Sequence, residues 1–336
     1  MNCYITACGL ALPKRIVTNA ELAPRLGVAP EWIEANSGIR ERRWVDENQS
    51  ASDLATVAVQ DALTKSGHTA VDIDYLIGGT LSPDYQVPGI APLVQRKLAG
   101  CRMIPALDVR VGCAAILYSL QIARGLIASQ TANTVACFGA EAQSKGLDLH
   151  PHSAELSMLF GDGAGALIVS HQPTDKLSLH IDDVLVKTDG NFAEDLCLRA
   201  PGTGNGARWR GSQEALMLPQ MNGRTVILHA VRKLMEVTTE ILTRNQLSLE
   251  QIDLIVPHQA NLNLLRTLGK LKHLALRPLV IANDTFDRLF RSPVTAQLEQ
   301  LDLQGAMLSK AKLRGLVEAT SLGRLRKLTL GENILM

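Results

Sequence analysis

Aromatic residues are scarce in this chain: 4% of 336 residues, within a hydrophobic share of 46%. Leu, Val, Ile and Ala must therefore fill the core. No apolar run approaches the ~20 residues that span a bilayer, so no membrane anchor is expected. The opening stretch to Pro13 lacks a basic region and a long apolar region. It reads as a first strand rather than a signal peptide. Charge of one sign is also lacking. Lys+Arg number 34 and Asp+Glu 33, a net +1 that argues against bulk nucleic-acid binding. The six cysteines, Cys3, Cys8, Cys101, Cys113, Cys137 and Cys197, form no CxxC pair and no His/Cys metal spacing. No metal or other cofactor is expected, and scattered thiols suit a reducing cytoplasm.

What is present is α/β patterning in both halves, with 1–171 and 172–336 expected as the two domains. Strands are expected at 5–12, 73–78, 134–139, 167–170, 177–187 and 252–257. Helices are expected at 20–26, 30–37, 52–66, 87–98, from the Cys113 turn to about 129, at 226–244 and from 261 to about 271. Leu54, Val57, Val59 and Leu63 mark the apolar side of the third helix, and the Gly-rich run 161–166 reads as a tight turn. Charge is uneven: residues 262–336 hold 12 Lys+Arg against 6 Asp+Glu, leaving the remainder net negative.

Cys113 lies in Asp108-Val-Arg-Val-Gly-Cys-Ala-Ala115, where a β-branched run meets a small-residue turn and then a helical pattern. A cysteine at such an elbow meets the free N–H groups and partial positive charge of a helix end, which favour a thiolate nucleophile. A small buried apolar cysteine is the competing reading. His258 follows a second apolar run, in Val256-Pro-His-Gln-Ala-Asn261, 145 residues later. A cysteine with a distant histidine, each at a strand end, is a candidate catalytic pair. Asp162, in the Gly-rich run, reads as a turn former rather than a catalyst.

These motifs, together with Gly38-Ile-Arg-Glu-Arg-Arg43, Leu159-Phe-Gly-Asp-Gly-Ala-Gly-Ala166 and Met221-Asn-Gly-Arg224, resemble a β-ketoacyl-[acyl-carrier-protein] synthase III in order and spacing, over roughly residues 1–275. The resemblance implies a thiolase-like α/β fold of two ααβαβ halves in a five-layered core, and a homodimer. It implies acyl-CoA and acyl-carrier protein as partners, with Cys113 taking the acyl group and His258 stabilising the enolate of the malonyl unit. Asn261 is expected to help fix the turn after His258. Trp32 matches a residue that stacks on CoA adenine, with Asn36 where an Arg is usual. Val87, in Pro83-Asp-Tyr-Gln-Val-Pro88, stands where a Phe often plugs the acyl pocket, so a primer longer than acetyl is expected. Arg208, Arg210 and a helix carrying Arg266, Lys270 and Lys272 are candidates for CoA phosphates or an acidic carrier protein.

The sequence departs from the family after about 275. The family's Asn, in a Gly-Asn-Thr-Ser turn, has no counterpart: Phe290, Arg291 and Ser292 stand at its place, and Asn283 comes too early. The closing hairpin keeps Leu328-Thr-Leu-Gly-Glu-Asn-Ile-Leu335 but loses its preceding glycines. A tail diverged to another chemistry and a local reading-frame disruption both account for this. Two rival functions follow: acyl transfer from CoA to another acceptor without decarboxylation, and a non-catalytic partner of an active homologue.

Overall fold

The structure, a computed structural model, describes residues 2–175, 178–204, 210–211 and 213–262, and the backbone of three strands at 273–275, 300–302 and 327–329. Arg208, Arg266, Lys270, Lys272, Asn283 and 290–292 lie outside the described residues. The chain divides into two compact units, Met1–Glu34 with Ile39–Val226, and Ala35–Gly38 with Ile227–Met336.

The first unit is built on β1 (Tyr4–Ala11), β2 (Arg15–Thr18), α1 (Asn19–Leu26), α2 (Pro30–Ser37), β3 (Glu41–Trp44) and α3 (Ala51–Ser66). There follow β4 (Tyr75–Gly79), α4 (Ile90–Lys97), β5 (Ala106–Asp108), α5 (Ala115–Ala128) and β6 (Thr134–Glu141). Then come α6 (Ala154–Ser157), β7 (Gly163–Ser170), β8 (Leu179–His180), β9 (Leu196–Cys197) and β10 (Gln220–Met221). Six strands make a mixed sheet in the order β5-β4-β6-β7-β1-β8. β4 runs parallel to both β5 and β6, and β7 antiparallel to both β6 and β1. β2 and β3 form a separate antiparallel pair.

Helix α3 lies across β1, β6 and β7 with an alanine-rich face of Ala51, Ala55, Ala58 and Ala62 beside Leu54, Val59 and Leu63. Small residues let the helix approach closely: a Cβ on Gly9 would sit 2.0 Å from the Ala58 carbonyl oxygen. Gly9 is therefore required by packing. Asp53 accepts from the Ser50 N–H at 2.8 Å to close a capping box, and Gly67, at φ +82°, ends the helix. Val57 is not on the apolar side. It is 54% exposed, because its place on the helical wheel is about 130° from the centre of the alanine face.

Three further expectations are corrected here. The fourth helix begins at Ile90 rather than 87, because Val87-Pro88-Gly89 precedes a start fixed by Asp108, which accepts from the Ile90 and Ala91 N–H groups at 2.5 and 2.7 Å. The Gly-rich run is mostly strand: β7 begins at Gly163 and lies alongside β1 and β6. Of the described residues within 177–187, Leu179–His180 alone is strand, against Tyr4 and Ile5, with one further bond from Ile181 N–H to the Cys3 carbonyl at 2.8 Å, and Asp182-Asp183 breaks the apolar pattern beyond.

In the second unit, α7 (Gly223–Arg244) crosses the boundary and a short 3-10 turn follows at Leu249–Gln251. Residues 252–257 form no strand among the described residues. Nothing there pairs with them, and Leu254 and Val256 are 44% and 74% exposed. The expected helix from 261 begins at Leu262, and its remainder lies outside the described residues. β11 (His273–Ala275), β12 (Gln300–Asp302) and β13 (Lys327–Thr329) align as a parallel three-stranded ladder.

Candidate active site

The elbow expected at Cys113 is present. β5 ends at Asp108, a 3-10 turn covers Gly112–Ala114, and α5 starts at Ala115. Gly112 takes φ +63°, a left-handed conformation that favours glycine, and so turns the chain sharply enough to present Cys113. The neighbouring strand presses against this turn. A Cβ on Gly79, the last residue of β4, would lie 2.3 Å from the Ala115 Cβ and 3.1 Å from the Val109 oxygen. One on Gly112 would be 3.7 Å from Leu81 Cδ1, so the loop after β4 also reaches the elbow.

Cys113 is exposed. Its thiol is nevertheless pushed above the ordinary cysteine value. Protein mass around the sulfur disfavours the thiolate first, the Glu141 charge adds to this, and the backbone N–H at the turn opposes both. The thiolate-favouring balance expected from sequence is therefore not found: the one lowering contribution, the backbone N–H, is outweighed.

Glu141, which sequence reasoning missed, ends β6. Its carboxylate accepts from Leu81 N–H at 2.9 Å, Ser82 Oγ at 2.6 Å and Gln143 Nε2 at 2.9 Å. Burial raises its pKa, and those hydrogen bonds pull the other way.

His258 belongs to the second unit. The residue is exposed, yet desolvation by the protein around it pulls the imidazole pKa down, so the neutral form prevails at pH 7. Asn261 is half-buried three residues on.

Trp32 lies on α2, half-buried against the cluster of Leu22, Leu26, Ile33 and Met158. Val87 is 81% exposed in the loop between β4 and α4. That loop is held by Asp84, which accepts from the Ser52 N–H at 3.0 Å and Oγ at 2.5 Å, with Lys97 3.7 Å away. Burial alone would raise the Asp84 pKa; the Ser52 and Ser50 hydrogen bonds and the Lys97 charge outweigh it and hold the carboxyl low.

Asp162 is neither turn former nor catalyst but a tie. It is 5% exposed and accepts from the Val45 and Ser144 N–H groups at 2.7 and 2.8 Å. A second group missed from sequence is Asp148, which contacts His150 Nδ1 at 2.5 Å and His152 Nε2 at 2.6 Å. All three line a cavity of about 770 Å3 with Arg25 and Glu214. The Asp-x-His-x-His spacing was the available signal. No cluster fit to hold a metal occurs among the described residues.

The model of the 3-oxoacyl-[acyl-carrier-protein] synthase III family matches residues 107–190, which include the whole elbow. The chain is 36% identical over 262 residues to a β-ketoacyl-[acyl-carrier-protein] synthase III of Nitratidesulfovibrio vulgaris strain DP4, covering 78% of each chain. It is 31% identical over 305 residues to one from Rickettsia rickettsii strain Sheila Smith, covering 91% of this chain and 92% of the relative. The crystal structure of the synthase III from Thermus thermophilus superposes with a TM-score of 0.71 at 30% identity, covering 96% of this chain and 91% of that one.

Proposed function

The chain belongs to the β-ketoacyl-[acyl-carrier-protein] synthase III family, with its thiolase-like α/β fold, and from that premise we propose that it is an acyltransferase joining an acyl-CoA-derived acyl group to malonyl-acyl-carrier protein in fatty acid biosynthesis. Cys113 gives up its proton and attacks the thioester carbonyl. The carbon–sulfur bond to CoA breaks, and CoA leaves as a thiolate that takes up a proton. The malonyl unit then loses CO2, and its enolate carbon attacks the acyl-cysteine. The 3-ketoacyl product forms as Cys113 is released. N–H groups at the elbow stabilise the oxyanion on the acyl carbon, and neutral His258 donates to the enolate oxygen. No step needs a metal or organic cofactor.

The observation that carries this reading is the exposed thiol of Cys113 on a glycine elbow at the start of a helix, inside the matched segment. Trp32, Arg208, Asn261 and Arg266 are proposed to serve CoA or the carrier protein. The exposed Val87 is proposed to leave a wider acyl pocket than a Phe would. The two halves of the fold are taken as 1–171 and 172–336. A homodimer is favoured by the edge strand β5 with exposed Met103, Leu107, Val111 and Tyr85 around it. Free thiols favour a cytoplasmic setting.

A second reading, acyl transfer without decarboxylation, is favoured by Phe290, Arg291 and Ser292 at the place of the family's Asn. Intact mass after incubation with an acyl-CoA panel, followed by malonyl-carrier protein, separates the two. Wild type is expected to gain an acyl adduct that Cys113→Ala lacks, and to lose it with release of a ketoacyl product. A persistent adduct selects the second reading. Absence of any adduct removes both and leaves the non-catalytic partner.

A further inference from the structure

Among the described residues, only neutral donors hold the Glu141 carboxylate. Besides Leu81, Ser82 and Gln143, Thr80 Oγ1 stands 3.5 Å away, and Ser82 Oγ itself accepts from the Ala142 N–H at 2.8 Å. No Lys, Arg or His forms an ion pair with Glu141 among the described residues, so none of them cancels its charge. The same loop that grips it reaches the nucleophile: Leu81 donates to Glu141 and packs beside Gly112. The other acids around the elbow are engaged elsewhere. Asp108 of β5 caps α4, Asp84 holds Ser52 near Lys97, and Asp162 binds Val45 and Ser144. Arg110 is exposed on the strand-to-elbow segment itself.

We propose that Glu141 is a positioning residue for the nucleophile, its uncompensated carboxylate keeping the Cys113 sulfur in its protonated resting form until a thioester arrives. This rests on the reading of Cys113 as the nucleophile. A neighbouring negative charge disfavours a thiolate. The resting thiol then resists stray alkylation and oxidation, while the thiolate formed during acyl transfer is more basic and intrinsically more reactive. The direction of the Cys113 shift, in which Glu141 is the cause after burial, agrees with this.

The test is the pH dependence of Cys113 alkylation by iodoacetamide, read by intact mass and peptide mapping on the full chain. It compares wild type, Glu141→Gln, Glu141→Ser and Glu141→Asp, each checked by thermal melting. The neutral variants are expected to ionise about one pH unit lower. That gives tenfold more thiolate, of which reduced nucleophilicity takes back about threefold, so alkylation at pH 7 rises about threefold. Glu141→Asp keeps a midpoint near wild type. Midpoints that stay or rise in the folded neutral variants overturn the proposal. Alkylation needs no acyl-CoA. A shifted midpoint without any acyl adduct therefore leaves this inference standing while the synthase reading falls. An adduct with no shift does the reverse.

Discussion

Cys113 and His258 are the two side chains proposed to carry the chemistry, and their surroundings push both toward the uncharged form, the thiol pKa up and the imidazole pKa down. Desolvation by the surrounding protein holds the His258 pKa low, so acid must go further before it charges. The acid limb of the condensation rate is accordingly expected to have its midpoint below 6.5, the ordinary histidine value, when followed from pH 5 to 8. Removing the ring tests its place in the sequence of steps. His258→Ala should still form the acyl adduct on Cys113 but turn over roughly 100- to 1,000-fold more slowly, as befits loss of one donor to an oxyanion. An equally slow acylation would mean that His258 acts earlier. Cys113 was legible in sequence because a β-branched run, a glycine and a helical pattern meet at one residue. Glu141 was not. It stands 28 residues later, and only the pairing of β4 with β6 brings its strand end beside the loop that touches the elbow.

At the scale of elements, close approach decides most of what is conspicuous. Gly9 sits under α3, and Gly9→Val would drive side-chain atoms into the Ala58 carbonyl. A loss of about 3 kcal/mol in urea unfolding is expected from overpacking that cannot be relieved by a rotamer change. Asp108 has a different task. Its carboxylate satisfies two orphan N–H groups at the start of α4, and Asp108→Ala should cost about 1–2 kcal/mol in the same measurement. The helices were readable because capping residues and 3.6-residue spacing are local. The Gly-rich run was misread as a turn because glycine marks both tight turns and strands under close packing, and nothing local tells the two apart. Among the described residues the apolar run 252–257 shows the converse: composition suggests a strand, but no described strand pairs with it.

Over the whole molecule, the mixed sheet followed from alternating α/β segments, while its order did not. That order depends on which strands cross over, and β1 lies between β7 and β8 through contacts far apart in sequence. Global stability should carry the mark of its fixed carboxylates. Asp53, like Asp84, would be raised by burial but is held low by hydrogen bonds from Lys97 and Ser50 and by the Lys97 charge. A carboxyl with a folded pKa below its unfolded one contributes stability above the unfolded value and loses it as pH falls through the folded one. Urea midpoints should therefore drop progressively below about pH 4. Lys97→Met, lacking the shared partner, should start lower and lose less over the same range. A parallel fall in both proteins would show that Lys97 contributes nothing to the acid response.

Asp108 has one more implication. It caps α4 on one side and stands four residues before Gly112 on the other, while a Cβ on Gly89 would collide with its carboxylate at 1.6 Å. The loop that presents Val87 and the segment that presents Cys113 thus share one hinge pin. If Val87 sets chain-length preference as proposed, redesign there has a gearing constraint: exchanging the side chain at 87 leaves the pin alone, whereas lengthening the loop or shifting α4 would drag the sulfur with it.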